Sequence, residues 1–151
     1  AAAGLNRDGW AVVHNPDPAD RLHLRLLPDE GSLSLGKFYN RTPVQVVEQK
    51  GEWSLVRIGL DGRLEGWMKT AYLRFGSAMD SVDTASPELI LREEYKTHAM
   101  YATAEMLATT DVQVGRETWI VGVVEDTLYI LLDAEGNTGF LPQRWFWAGN
   151  G

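Results

Sequence analysis

No cysteine occurs in this chain of 151 residues. Disulfides, zinc–thiolate sites and cysteine nucleophiles are excluded at once. No apolar run approaches the ~20 residues that a membrane-spanning helix needs, so insertion of that kind is not expected. A positively charged, apolar leader is missing from the start. So are the phosphate-cradling glycine loop, the dinucleotide fingerprint and the Gly-x-Ser-x-Gly elbow. Basic charge is scarce: 14 Lys and Arg stand against 21 Asp and Glu, a net charge of −7. The deficit lies in the second half. Residues 1–76 carry ten basic and nine acidic side chains, and residues 77–151 carry four and twelve. A phosphate-binding protein needs a dense basic surface. Neither half has one, and nucleic acid is not an expected partner.

What is present reads as a globular, all-β chain. It is 44% hydrophobic and 23% charged, with six tryptophans, a balance that argues against disorder. Short segments rich in β-branched, aromatic or alternating apolar residues follow one another: "WAVV" at 10–13, "RLHLRL" at 21–26, "TPVQVVE" at 42–48, "WSLVRI" at 53–58 and "EGWM" at 65–68. Turn chemistry separates them, in "NPDP", "PDEG", "EQKG" and "LDGR". Hairpins are expected across "EQKG" and "GLDG". The stretch 76–88, "GSAMDSVDTASPE", is small, polar and acidic and reads as a linker.

Beyond the linker the pattern returns. A shift of 76 positions lays Val13 on Leu89, Leu24 on Met100, Val44 on Ile120, Trp53 on Tyr129 and Val56 on Leu132. After a deletion of three residues, Gly66 falls on Gly139, Trp67 on Phe140, Tyr72 on Trp145 and Leu73 on Phe146. The match is one of residue class, and it suggests an internal duplication. The segment 86–108 competes with it. It is full of helix formers, and Leu91, Tyr95, Ala99, Ala102 and Met106 keep rough helical spacing. The duplication requires a strand, a loop and a strand there, and that is the expectation adopted.

The first half resembles the bacterial Src-homology-3-like (SH3-like) domains of exported and cell-envelope proteins. The residues that carry the likeness are Leu22, Leu24, Arg25 and Pro28; Leu35 and Gly36, read as a glycine-containing turn; Thr42, Pro43, Val44 and Val46; Gly51, Trp53, Val56 and Arg57; and Gly66, Trp67, Tyr72 and Leu73. The second half keeps only the closing part, Gly139, Phe140, Trp145 and Phe146. The resemblance implies two small SH3-like barrels in tandem: an extension at 1–9, a barrel at 10–76, a linker at 77–87 and a diverged barrel at 88–151. It implies a 3₁₀ turn between Met68 and Tyr72. It also implies a non-catalytic binding or targeting module, without a cofactor, in an exported or envelope protein.

A groove follows from the same resemblance. Tyr39, Trp53, Trp67 and Tyr72 would flank it, with Asp17 and Asp20 at the rim to meet a cation on a peptide, a protein or a peptidoglycan fragment. The plainer reading makes the aromatics core filler and the two aspartates turn residues. Trp145, Phe146 and Trp147 cannot all face one core if extended, so at least one should form an interaction surface.

Other chemistry is thinner. His14, Asp17, Asp20 and His23 are of metal-ligand type, but Pro16 and Pro18 forbid a helix that would gather them, and no metal is expected. His98 has no evident partner for a hydrolytic triad. Glu93, Glu94, Glu125 and Asp126 suit glycoside cleavage by type alone. Two further functions stay open: assembly through the aromatic face of the second half, and a small cell-wall hydrolase.

Overall fold

Alternation decides most of the elements. The computed structural model describes residues 9–17, 20–84, 86–115 and 117–148. Most of the expected N-terminal extension therefore lies outside the described residues. The first half holds β1 (Trp10–Val13), β2 (Leu22–Arg25), β3 (Ser34–Phe38), β4 (Pro43–Lys50), β5 (Trp53–Ile58), β6 (Leu64–Lys69) and β7 (Leu73–Phe75). A 3₁₀ turn at Thr70–Tyr72 joins the last two. The second half holds β8 (Leu89–Leu91), β9 (Ala99–Tyr101), β10 (Thr109–Gln113), β11 (Thr118–Val124), β12 (Leu128–Asp133), β13 (Thr138–Pro142) and β14 (Phe146–Ala148), with a 3₁₀ turn at Gln143–Trp145 before the last.

The fold is all-β. The helix considered for 86–108 does not form: a 3₁₀ turn at Glu93–Tyr95 separates β8 from β9. Leu35 and Gly36, read from the sequence as a turn, lie inside β3.

Strand pairing repeats between the halves. In the first, β1 pairs with β7, β2 with β3 and β6, and β5 with β4 and β6. In the second, β8 pairs with β14, β9 with β10 and β13, and β12 with β11 and β13. The first half adds one pair, β1 with β4. The β8–β11 counterpart is not among the second half's pairs. Register corrects four of the sequence correspondences. Val56 lies opposite Gly66 as Leu131 lies opposite Gly139, so Leu131, and not Leu132, stands with Val56. Val46 lies opposite Val56 as Ile120 lies opposite Leu131, so Val46, and not Val44, stands with Ile120. Ser54 lies opposite Met68 as Tyr129 lies opposite Leu141, so Tyr129 stands with Ser54 and Leu128 with Trp53. Val13 lies opposite Leu73 as Leu91 lies opposite Phe146, so Leu91, and not Leu89, stands with Val13.

The halves are joined in one sheet. β3 pairs with β11, Phe38 opposite Gly122 and Lys37 opposite Val123, and the Tyr39 amide donates to the Val121 carbonyl at 2.9 Å. Twelve strands therefore run in one continuous order, with β8 and β14 as a separate pair. Glycine makes this seam. A Cβ on Gly122 would lie 2.7 Å from the Lys37 carbonyl oxygen, and one on Gly36 would lie 2.8 Å from Ile130 Cδ1. Only residues without a side chain let the backbones approach so closely.

Burial follows the seam. The larger core joins Leu24, Phe38, Val56 and Met68 of the first half to Leu128, Ile130, Leu132 and Phe140 of the second. A smaller core holds Leu91, Met100, Ile120, Leu131, Leu141 and Trp145. β12 is thus buried on both faces, which its run of apolar residues, "LYILL", reflects. The stretch read as a linker forms 3₁₀ turns at Gly76–Ser81. Val82 behind it is buried, and its carbonyl accepts a bond from Arg41 Nη1 at 2.8 Å.

Candidate functional site

The outer face of β5 and β6 brings two indoles together. Along β5, Ser54, Val56 and Ile58 point into the core, which leaves Trp53, Leu55 and Arg57 outward. Along β6, Gly66 and Met68 are buried, which leaves Glu65, Trp67 and Lys69 outward. Register sets Trp53 opposite Lys69, Leu55 opposite Trp67 and Arg57 opposite Glu65. Trp53 and Trp67 are thus diagonal neighbours, both half-buried, with Leu55 between them.

Ion pairs frame this platform. Arg57 Nε meets Glu65 Oε2 at 2.7 Å at one end. At the other, Lys69 pairs with Glu30 and places Nζ 5.8 Å over the Trp53 ring. The hydrogen bond from Lys69 holds the Glu30 carboxyl below its usual range, and Glu30 in turn raises Lys69. Both pairs are exposed and contribute little stability. The Glu30 pair holds Lys69 beside the Trp53 ring.

Tyr72 ends the 3₁₀ turn after β6, half-buried against the larger core, and its carbonyl accepts the His14 amide at 2.8 Å. Tyr39 lies elsewhere. Just after β3, it packs on the smaller core with the Arg21 guanidinium 5.8 Å over its ring. Burial, and then Tyr39, push the Tyr129 hydroxyl above its ordinary range. The four aromatics therefore fall into two groups: Trp53, Trp67 and Tyr72 at β5–β6 and the turn that follows, and Tyr39 at the seam.

Asp17 and Asp20 are exposed in the β1–β2 loop. The Asp17 amide donates to Asn15 Oδ1 at 3.0 Å, its carbonyl accepts the Asp20 amide at 2.9 Å, and Asp20 Oδ1 accepts the Arg21 amide at 2.8 Å. These are turn-forming bonds. Among the described residues no group of three or more His, Asp and Glu is placed to hold a metal.

The second half arranges its rings differently. Trp145 is 5% exposed, so it leaves the expected interaction surface: the turn that carries it folds the ring into the smaller core. Tyr95 stacks on it at 4.0 Å and 3°, and His98 meets its edge at 4.8 Å. Phe146 is half-buried against Tyr129. Trp147 stays out, 53% exposed, with the Arg92 guanidinium 5.3 Å from its ring. The stack of Tyr95 and His98 on Trp145 had no separate sequence signal. The sequence marked Tyr95 by the spacing of a rejected helix, His98 as a base without a partner and Trp145 as part of an interaction surface, and nothing in it joined the three.

Comparison with known proteins bears on the first half. Residues 20–74 match the bacterial SH3 domain. That span holds β2 to β6 and therefore the whole indole platform. Among curated proteins none matches this chain. Among solved structures, the chain is similar to that of NlpC2 from Trichomonas vaginalis, at 12% identity and a TM-score of 0.35, covering 91% of this chain and 47% of that one. The chain thus spans about half the length of that structure. Among the described residues no helix is long and apolar enough to cross a membrane.

Proposed function

We propose that the chain is a non-catalytic binding or targeting module. In this reading it is a tandem pair of SH3-like units, the second diverged, that serves an exported or envelope protein of a bacterium. Its ligand is an extended peptide, such as a cell-wall peptide, held on Trp53, Trp67 and Tyr72.

One observation carries the reading. The outer face of β12 and β13, which stands where β5 and β6 stand in the first half, is apolar and packed in the larger core through Leu128, Ile130 and Phe140. The matching positions of the first half are Trp53, Leu55 and Trp67, left at the surface. A face that serves for contact in one unit is open in the other. Indoles suit it, since a large rigid ring gives contact area at low entropic cost.

The test is sedimentation with isolated peptidoglycan, alongside a melting curve. Trp67→Ala should reduce binding by about tenfold, as loss of an aromatic anchor does, with little change in melting temperature. Binding that survives the substitution, or a variant that unfolds, ends the groove assignment.

A second reading rests on the pair Ile90 and Trp147, opposite each other on β8 and β14 and exposed by 42% and 53%. An apolar pair of this kind supports assembly with another protein or copy. Sedimentation velocity of Trp147→Ser tests it. The hydrolase reading gains no support from the geometry: His98 packs on Tyr101 and Trp145, and Glu93 pairs with Lys96.

A further inference from the structure

In the first half, β1 pairs on both sides, with β7 and with β4. Its residues Trp10, Ala11 and Val12 lie opposite Gln45, Val44 and Pro43. Among the described residues the corresponding strand of the second half, β8, pairs with β14 alone. Its other edge faces the start of β11 across a hollow of about 670 Å³ lined by Pro87, Leu89, Ile90, Thr118 and Trp119. Among the described residues no backbone hydrogen bond crosses from 86–90 to 118–120. A second hollow of about 660 Å³ adjoins it, sharing Trp119 and Ile120 and reaching Trp10, Pro43, Leu60 and Leu132. Trp119 stands between them, 52% exposed.

Strand edges left in this state are templates for another strand. Backbone groups give the affinity, and pockets for alternate side chains give the selectivity. Two such edges face one gap here, and one largely apolar hollow adjoins it. We propose that the gap between β8 and β11 accepts one extended segment of a partner protein, apolar at alternate positions and basic at its ends.

In the first half the place beside β4 is taken by β1 itself, the extended apolar strand Trp-Ala-Val-Val, whereas its counterpart β8 does not reach β11 and leaves the place beside β11 open to a strand of that kind. Charge sets the ends. Glu88 lines the gap and is exposed, and exposed Asp83 and Glu117 directly precede the lining residues Thr84 and Thr118. Arg41, which lines the adjoining hollow, is committed to the Val82 carbonyl. An acidic rim of this kind favours a basic segment and speeds its arrival. The site is separate from the indole platform of β5 and β6 and does not depend on it.

The experiment uses the full chain and a capped peptide carrying Trp-Ala-Val-Val between pairs of lysines. Calorimetry should give one site, and hydrogen exchange at Thr118 and Ile120, whose amides turn away from β12, should slow on binding. A peptide methylated on alternate backbone nitrogens keeps the side chains and loses the strand's donors. It should bind about tenfold more weakly or worse, as should the wild-type peptide to Trp119→Ala. Trp67→Ala should bind it unchanged, which separates this site from the platform. Equal binding of the methylated peptide would overturn the proposal, as would no saturable binding at millimolar peptide. So would amides of Thr118 and Ile120, which turn away from β12, already protected in the free chain, whether by closure of β8 onto β11 or in a dimer.

Discussion

The carboxylate of Asp61, in the β5–β6 turn, accepts the Thr138 amide at 2.7 Å and the Thr138 hydroxyl at 3.0 Å, at the start of β13. Thr138 is fully buried, so both donors have left water and are satisfied by this one side chain. Arg63 Nε approaches the same carboxylate at 3.2 Å, and beside it the Leu60 amide donates to the Gly136 carbonyl. A hairpin tip of the first half is thereby clamped onto the second.

Removing that acceptor should cost stability out of proportion to the size of the change. Asp61→Ala leaves two buried donors unpaired, at about 2–3 kcal/mol. Asp61→Asn keeps an acceptor oxygen and should lose less. Urea unfolding measures both. An Asp61→Ala midpoint equal to wild type would show that the clamp does not hold the halves together.

The two tryptophans flanking Phe146 should behave as opposites. Trp145→Ala empties a buried, stacked site and should cost about 3–5 kcal/mol. Trp147→Ser acts on an exposed ring and should stay within about 0.5 kcal/mol. Thermal melts rank them, and the reverse order would contradict the placement of the rings.

Stability should fall on mild acidification through His23. Burial holds its folded-state pKa below the ordinary imidazole value, and Arg25 and Lys37 lower it further against the opposing pull of Asp20. Its Nδ1 meets Ser34 Oγ at 2.7 Å. With the folded pKa depressed, the unfolded chain takes up the proton first. The stabilisation is complete above the unfolded value and declines as pH drops through the folded one. His23→Gln should flatten this part of the stability–pH curve. Urea midpoints stepped downward from pH 7 test it, and identical slopes for the two proteins would exclude His23 as the source.

Much of the fold was legible. Alternation marked β1, β2, β4, β5 and β6 to within two residues of their ends, and "GFLPQRWF" announced a closing strand and turn like those of the first half. What misled was register. The β4–β5 hairpin turns through two residues, Gly51 and Glu52, where the β11–β12 hairpin turns through three, 125–127, and the extra residue shifts which positions correspond. Matching by class therefore put Trp53 with Tyr129, one place off. β3 escaped because Gly36 looks like a turn residue, when its role is to let Ile130 sit against the backbone. Of the candidate site, the indoles could be named from sequence. That Trp53 and Trp67 share a face depends on the pairing of Leu55 with Trp67, and that Tyr39 does not join them depends on a seam between distant segments, which local pattern cannot reveal. The unbroken apolar run "LYILL" was the available clue to that seam.

The β3–β11 junction also fixes how anything carried by this protein is presented. With a sheet and a core in common, the halves cannot pivot about residues 76–87 as beads on a string would. A cut in that stretch would leave Ile130 and Phe140 needing new cover, and not release two free modules. Cargo fused to one end and a ligand caught at the other would keep a set distance and angle, so the chain would work as a rigid bracket.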